Sequence, residues 1–361
     1  MPLSLSRWPL WIAAASLGAI AVGGFLSRPA SQTLGHDVAS DNAGENAGGD
    51  RGRHARTPWQ IERRGWKDIF LRIYDSLGKD RLVAVAAGIA FYSLLALFPA
   101  IAALVSLYGF FADPATIADH IGTIADFVPG GGVDVIQGQI DHVASQGRQA
   151  LGLTFLFSFL VSLWSANKGT KAMFDALNVV YHEEEKRGFF KLNALSLLFT
   201  IGGVVFVLVA LGVIIVLPLA LDFIGLGKTA DLIDILRWPV LFAAIAFALA
   251  VVYRYGPSRD KAQWRWVSWG SVLAAFLWIA ASILFSWYAE NFGSFNKTYG
   301  SLGAVIGFMT WIWLSALVVL LGAELDAEME HQTMHDTTEG PSRPMGWRGA
   351  RVADSIGPAR D

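Results

Sequence analysis

The sequence predicts an all-α membrane protein: a six-helix transmembrane bundle with an additional N-terminal hydrophobic helix. Composition is the first reason. Of 361 residues 54% are hydrophobic and only 16% charged, where a soluble domain carries about 25%. The second is a set of apolar runs. A helix crossing hydrocarbon needs about 20 mainly apolar residues, because every backbone amide must be bonded within the segment. Stretches from about Leu82 to Phe111, Leu151 to Ala166, Leu192 to Leu217, Trp238 to Tyr253, Val267 to Trp287 and Leu302 to Ala323 contain no Asp, Glu, Lys or Arg. The third is the alternation of basic residues between these runs. One set of segments holds 22 Lys and Arg and the other 4, and short cytoplasmic loops collect such residues. Both ends of the six-span core are therefore expected in the cytoplasm.

Four regions follow. Residues 1–26 carry an apolar run, Trp8 to Leu26, preceded by Arg7. Ala19-Ile20-Ala21 has the small residues of a secretory cleavage site, but cleavage would export nine basic residues that belong inside, so an uncleaved helix is favoured. Residues 27–58, rich in Gly, Ala, Ser and Asn, bury too little to fold and are expected to be a disordered linker. Residues 59–330 form the membrane domain, and 331–361 a disordered cytoplasmic tail. Within the domain, Ile61, Trp66, Ile69, Phe70, Ile73, Tyr74 and Leu77 recur at helical spacing among charges. They define an amphipathic helix that lies on the inner membrane surface or docks on the end of the bundle.

Along the spans, Pro99 interrupts the first and Pro218 ends the third. The long loop between spans one and two, with Asp113-Pro114 as a cap and Gly130-Gly131-Gly132 as a break, predicts a two-helix outer lid. The second and fourth apolar runs are short, so their helices extend beyond them. On the extension of span two, Lys168, Lys171, Asp175 and Asn178 follow steps of three, four and three and share one polar stripe. That stripe either lines a cavity or belongs to an amphipathic extension in which Lys171 and Asp175 pair. Glu183, Glu184 and Glu185 beside Lys186 and Arg187 suggest a solvated turn. Trp264, Trp266 and Trp269 open span five at headgroup depth and Trp287 closes it. An outer turn after it brings together Asn291, Asn296, Lys297 and Tyr299. In span six, Gly303 and Gly307 permit close helix approach. Glu324 and Glu328 leave that span on one face and are expected to pair with inner-loop Lys or Arg.

Three blocks resemble a known family. They are Ala90-Phe91-Tyr92-Ser93-Leu94-Leu95-Ala96-Leu97-Phe98-Pro99; Leu163-Trp164-Ser165-Ala166-Asn167 with Ala176-Leu177-Asn178-Val179-Val180-Tyr181; and Tyr299-Gly300-Ser301-Leu302-Gly303 with Gly322-Ala323-Glu324-Leu325. In this order they resemble the YihY/BrkB family of bacterial inner-membrane proteins, from about Trp66 to Glu330. The resemblance implies a six-span helical protein of the plasma membrane without an agreed activity, whose members have carried ribonuclease BN and virulence labels. Trp269-Gly270 departs from the family's Pro-Gly, and nothing before residue 59 has a counterpart.

Function classes narrow accordingly. With 28 Lys and Arg against 30 Asp and Glu there is no basic excess for nucleic acid. The absence of cysteine excludes disulfides, thiolate metal sites and thiol nucleophiles. The seven histidines form no ligand pattern, and His331 with His335 fits a solvated tail. No phosphate-cradling or dinucleotide loop is present, so no catalytic residue, metal or cofactor is expected. The bilayer is the certain partner. An envelope lipid or small amphipathic cargo suits a bundle without mid-span ionisable groups, which proton-driven pumps use; a non-transporting scaffold is the alternative.

Overall fold

The computed structural model describes residues 51–111, 148–211, 227–292 and 302–360, and every regular element among them is helical. A 3₁₀ turn at Pro58–Gln60 precedes α1 (Arg63–Lys79), α2 (Leu82–Phe111), α3 (Arg148–Val180), α4 (Phe189–Leu211), α5 (Gly227–Tyr255), α6 (Trp264–Phe292) and α7 (Leu302–Glu330). The N-terminal apolar run, the outer lid, Pro218 and the outer-turn residues Asn296, Lys297 and Tyr299 lie outside the described residues, as does the side chain of Asn291.

Among the described residues, Phe189–Ala210, Trp264–Tyr288 and Val305–Glu330 are long and apolar enough to cross a membrane. Leu82–Ala96 and Pro239–Tyr255 are shorter apolar segments. Helix α3 has 33 residues, about 50 Å at 1.5 Å per residue, against a hydrocarbon layer of about 30 Å. Its polar C-terminal half therefore has length to spare beyond its apolar run. Pro99 does not break α2, which continues to Phe111; membrane helices tolerate proline where neighbours re-bond the freed carbonyl.

Helix α7 is central and touches α1, α2, α3 and α6; α5 packs on α6 and reaches α7 through Tyr253, which donates to the Val319 carbonyl at 2.6 Å, and α4 packs on α3. The α6–α7 contact is close because two glycines meet. A Cβ on Gly270 would sit 2.0 Å from the Gly322 carbonyl oxygen, and one on Gly322 would sit 2.6 Å from that of Gly270. Gly307, expected to serve this purpose, has no atom within 4 Å of the Cβ it lacks. Indole groups stitch the helices further. Trp278 donates to the Ser315 hydroxyl at 3.0 Å, Trp311 to Ser282 at 3.3 Å, and Trp313 of α7 to the Val83 carbonyl of α2 at 3.0 Å.

The buried core lies at one end of the bundle. Leu82, Ala86 and Ile89 begin α2, Leu177 and Tyr181 close α3, Tyr253 ends α5, Val267 and Ala274 begin α6, and Leu320, Ala323 and Ala327 end α7. Elsewhere large apolar side chains face outward, among them Leu198, Val205 and Leu208 of α4. A helix apolar on every side suits hydrocarbon.

The expectation of a disordered tail is corrected. Residues 331–360 pack across the core end, with Gln332, Thr333, Thr337, Thr338, Ala350, Val352 and Ala353 buried. The order comes from side chains satisfying backbone. The Arg348 guanidinium donates to the carbonyls of Met334 at 2.6 Å, His335 at 3.1 Å, Arg343 at 3.2 Å and Ala353 at 2.6 Å. The described end of the expected linker is likewise fixed: Met334 donates its amide to the Arg53 carbonyl at 2.8 Å, Gln332 donates to that of Arg51 at 2.8 Å, and Ala55 is buried.

Candidate functional site

Four carboxyl side chains leave the last two turns of α7, at positions 324, 326, 328 and 330. Steps of two along a helix swing the side chain by about 200°. Glu324 and Glu328 therefore share one face while Asp326 and Glu330 share the opposite one, and each pair meets different partners. All four are buried.

On the first face, Glu328 forms an ion pair with Arg72 of α1. Arg72 also donates to the Gln332 side chain at 2.7 Å and to the Pro358 carbonyl at 3.2 Å. The expected cation for Glu328 is thus found in the amphipathic helix. Among the described residues Glu324 has no such cation: its neighbour is Asp80, in the link between α1 and α2, and Glu324 Oε1 carries no hydrogen bond there. Burial raises the Asp80 carboxyl above its ordinary value, against the opposing attraction of His182. The histidines expected in a free tail are placed as well, His331 3.7 Å from Glu328 and 3.1 Å from the Ser355 hydroxyl.

On the second face, Glu330 pairs with Arg259 from the α5–α6 loop at 2.7 Å, both side chains fully buried. The guanidinium lies 4.0 Å from the Tyr181 ring centroid. Burial acts to lower the Arg259 pKa, but the Glu330 carboxylate outweighs that and holds it above its ordinary value. Asp326 accepts the Gly270 backbone amide at 2.7 Å, next to the α6–α7 glycine contact.

The α3 stripe divides among different tasks. Lys168 lies exposed, 4.9 Å from the Trp164 ring centroid. Lys171 donates to Asn193 of α4 at 2.5 Å, and Asp175 is exposed. Buried Asn178 accepts the Ser258 amide at 2.7 Å and donates to Glu185 at 3.2 Å. It thereby ties the turn after α3 to the loop after α5. In that turn Glu184, Glu185 and Lys186 are exposed as expected, but Glu183 is buried and accepts the Arg351 amide at 2.7 Å. Burial would raise the Glu185 carboxyl, but hydrogen bonds from Arg187 and Asn178 bring it from 4.5 down to about 2.

Sequence spacing identified Glu324, Glu328 and the α3 residues. It did not identify Arg72, Asp80 or Asn193 as their partners, nor the Arg259–Glu330 pair, because these partners lie on other elements. Among the described residues no group of three or more His, Asp or Glu is placed to hold a metal ion.

A family model described as virulence factor BrkB matches residues 73–345. A ribonuclease-like protein of Bacillus subtilis (strain 168), YfkH, is 31% identical over 270 residues, 72% of this chain and 93% of its own length. A UPF0761 membrane protein of Vibrio vulnificus (strain YJ016) is 27% identical over 270 residues, 71% of this chain and 81% of its own. Another, of Vibrio cholerae serotype O1 (strain M66-2), is 29% identical over 274 residues, 73% of this chain and 88% of its own. No solved structure matches.

Proposed function

The chain belongs to the virulence factor BrkB family, and we propose that it crosses the bacterial plasma membrane six times and translocates an envelope lipid or small amphipathic molecule. Both ends of the six-span core lie in the cytoplasm in this reading, supported by the division of basic residues between the two sets of loops.

The observation that carries the transport reading is the sequence of surfaces along α3 and α4. Exposed Lys168 and Asp175 and partly buried Lys171 stand beyond the apolar run of α3, next to α4, whose outward face is apolar over most of its length. A molecule with a charged head and greasy body meets matching chemistry there: cations for the head, apolar helix for the chains. The ribonuclease-like name of one relative receives no support from these residues, since metal-assisted phosphodiester hydrolysis needs converging ligands.

The test is reconstitution of the full chain in vesicles containing phosphatidylglycerol with a fluorescent head, followed by bleaching with a membrane-impermeant reductant. The protein should accelerate exchange between leaflets, and Lys168→Gln with Lys171→Gln should slow it while the folded protein remains in the vesicles. A rate equal to that of protein-free vesicles overturns the reading and leaves the scaffold, which the dense cross-ties of the tail favour.

A further inference from the structure

Helix α1 turns a mixed face inward, where Trp66, Ile69, Ile73 and Leu77 pack on the core beside two buried charges. Asp68 is 0% exposed and Arg72 4%. Asp68 accepts from the Arg51 guanidinium at 3.1 Å and from the Arg360 amide at 3.0 Å, and Arg72 is held by Glu328, Gln332 and the Pro358 carbonyl. Ile69 alone among the larger apolar residues of the helix is fully covered. The outward side instead presents Phe70 at 57%, Leu71 and Tyr74 at 76%, and Trp59 just before the helix at 80%. Arg63, Arg64 and Lys67 are exposed on the adjoining turns. In water this arrangement leaves apolar area uncovered while burying charge, both of which are unfavourable.

The exposed side is continuous with a membrane span. Trp59 packs edge-on against Trp269 with centroids 4.3 Å apart, Trp66 lies 6.2 Å from Trp269, and Phe70 lies 5.9 Å from Trp66. Trp269 belongs to the second turn of α6, within the apolar segment Trp264–Tyr288. The aromatic row therefore starts in a spanning helix and runs out along α1 at the same end of the bundle.

We propose that α1 lies in the plane of the adjoining leaflet, with Trp59, Phe70, Leu71 and Tyr74 set among the acyl chains, and with Arg63, Arg64 and Lys67 binding anionic phospholipid headgroups. Basic residues at a membrane surface are attracted to anionic lipid, and the apolar side supplies the insertion. The occupant follows from the basic residues in the first turns of the exposed side and from the continuity with α6. Helix α1 takes this place whether or not any cargo is translocated.

The absence of cysteine makes the test clean. Single substitutions Phe70→Cys and Tyr74→Cys in the full chain carry a nitroxide, with Val205→Cys on α4 and Glu184→Cys on the exposed turn as references. In phosphatidylcholine–phosphatidylglycerol vesicles, labels at 70 and 74 should collide with oxygen as at 205, and collide several-fold less with a water-soluble nickel complex than at 184. Their immersion should increase with phosphatidylglycerol, and the combined change of Arg63, Arg64 and Lys67 to Gln should abolish that increase. Labels at 70 and 74 as water-accessible as at 184 would overturn insertion and assign the side to a protein partner. Immersion indifferent to phosphatidylglycerol in the unchanged chain would overturn headgroup recognition.

Discussion

Arg72 and Glu328 show how a single pair decides the placement of a whole helix. Each is nearly devoid of solvent, and Arg72 additionally satisfies Gln332 and a tail carbonyl. Removing one partner leaves an uncompensated buried charge, which costs about 3–5 kcal/mol, whereas replacing both by apolar residues of similar size is often near neutral. Arg72→Leu should therefore lower the thermal midpoint of the detergent-purified protein sharply, and Arg72→Met with Glu328→Leu should recover part of the loss. Thermal unfolding followed by circular dichroism checks both; equal midpoints for Arg72→Leu and the unchanged chain would contradict the pairing. The spacing of Glu324 and Glu328 made their shared face legible in the sequence. Their different neighbours were not, because the choice between Arg72 and Asp80 is made by the docking of α1 and the turn that follows it, some 250 positions away in the chain.

At the scale of elements, apolar runs and charge limits located the helices, since both depend only on residues within each segment. The contacts between helices depend on pairs of segments and were less legible. Gly307 of the small-residue pattern in α7 stands in open space, and a close approach is made by Gly270 and Gly322, each meaningful only opposite the other. A methyl group at Gly270 would enter the Gly322 carbonyl. Relieving that overlap requires α6 and α7 to separate, and overpacking of this kind costs about 1–3 kcal/mol. Gly270→Ala should destabilise toward the upper part of that range, whereas Gly307→Ala, with open space around the new methyl, should be neutral or stabilise by the helix preference for alanine. Comparing their midpoints under the same detergent conditions tests the contact directly. Helix α1 shows the same limit of periodicity from another side. Its apolar stripe was visible, but Ile61 and Ile69 turn inward while Phe70 and Tyr74 turn outward, because Asp68 and Arg72 claim the face toward α7 and the tail.

For the whole molecule, the tail supplies a measure of sidedness that owes nothing to counting charges. Arg351 bonds Glu184 at 3.0 Å, Arg343 bonds Asp260 at 2.8 Å, Arg360 bonds Asp75 at 2.7 Å, and the Met334 amide bonds the Arg53 carbonyl at 2.8 Å. Segments around residues 53, 75, 184, 260 and 351 must then share one side of the membrane, since hydrogen-bonded groups cannot stand on opposite faces of a layer about 30 Å thick. These are the four segments that together hold 22 of the 28 Lys and Arg residues. Contacts group these segments, and in the proposed threading the preference of basic loops for the cytoplasm selects the side. Glu184→Cys and Lys261→Cys, each the sole thiol in its chain, should resist a membrane-impermeant maleimide in intact cells and react in inside-out vesicles. Reaction of both in intact cells would invert the threading while preserving the grouping. Reaction of only one would break the grouping itself, and with it the packing of the tail across the ends of α3, α5 and α7.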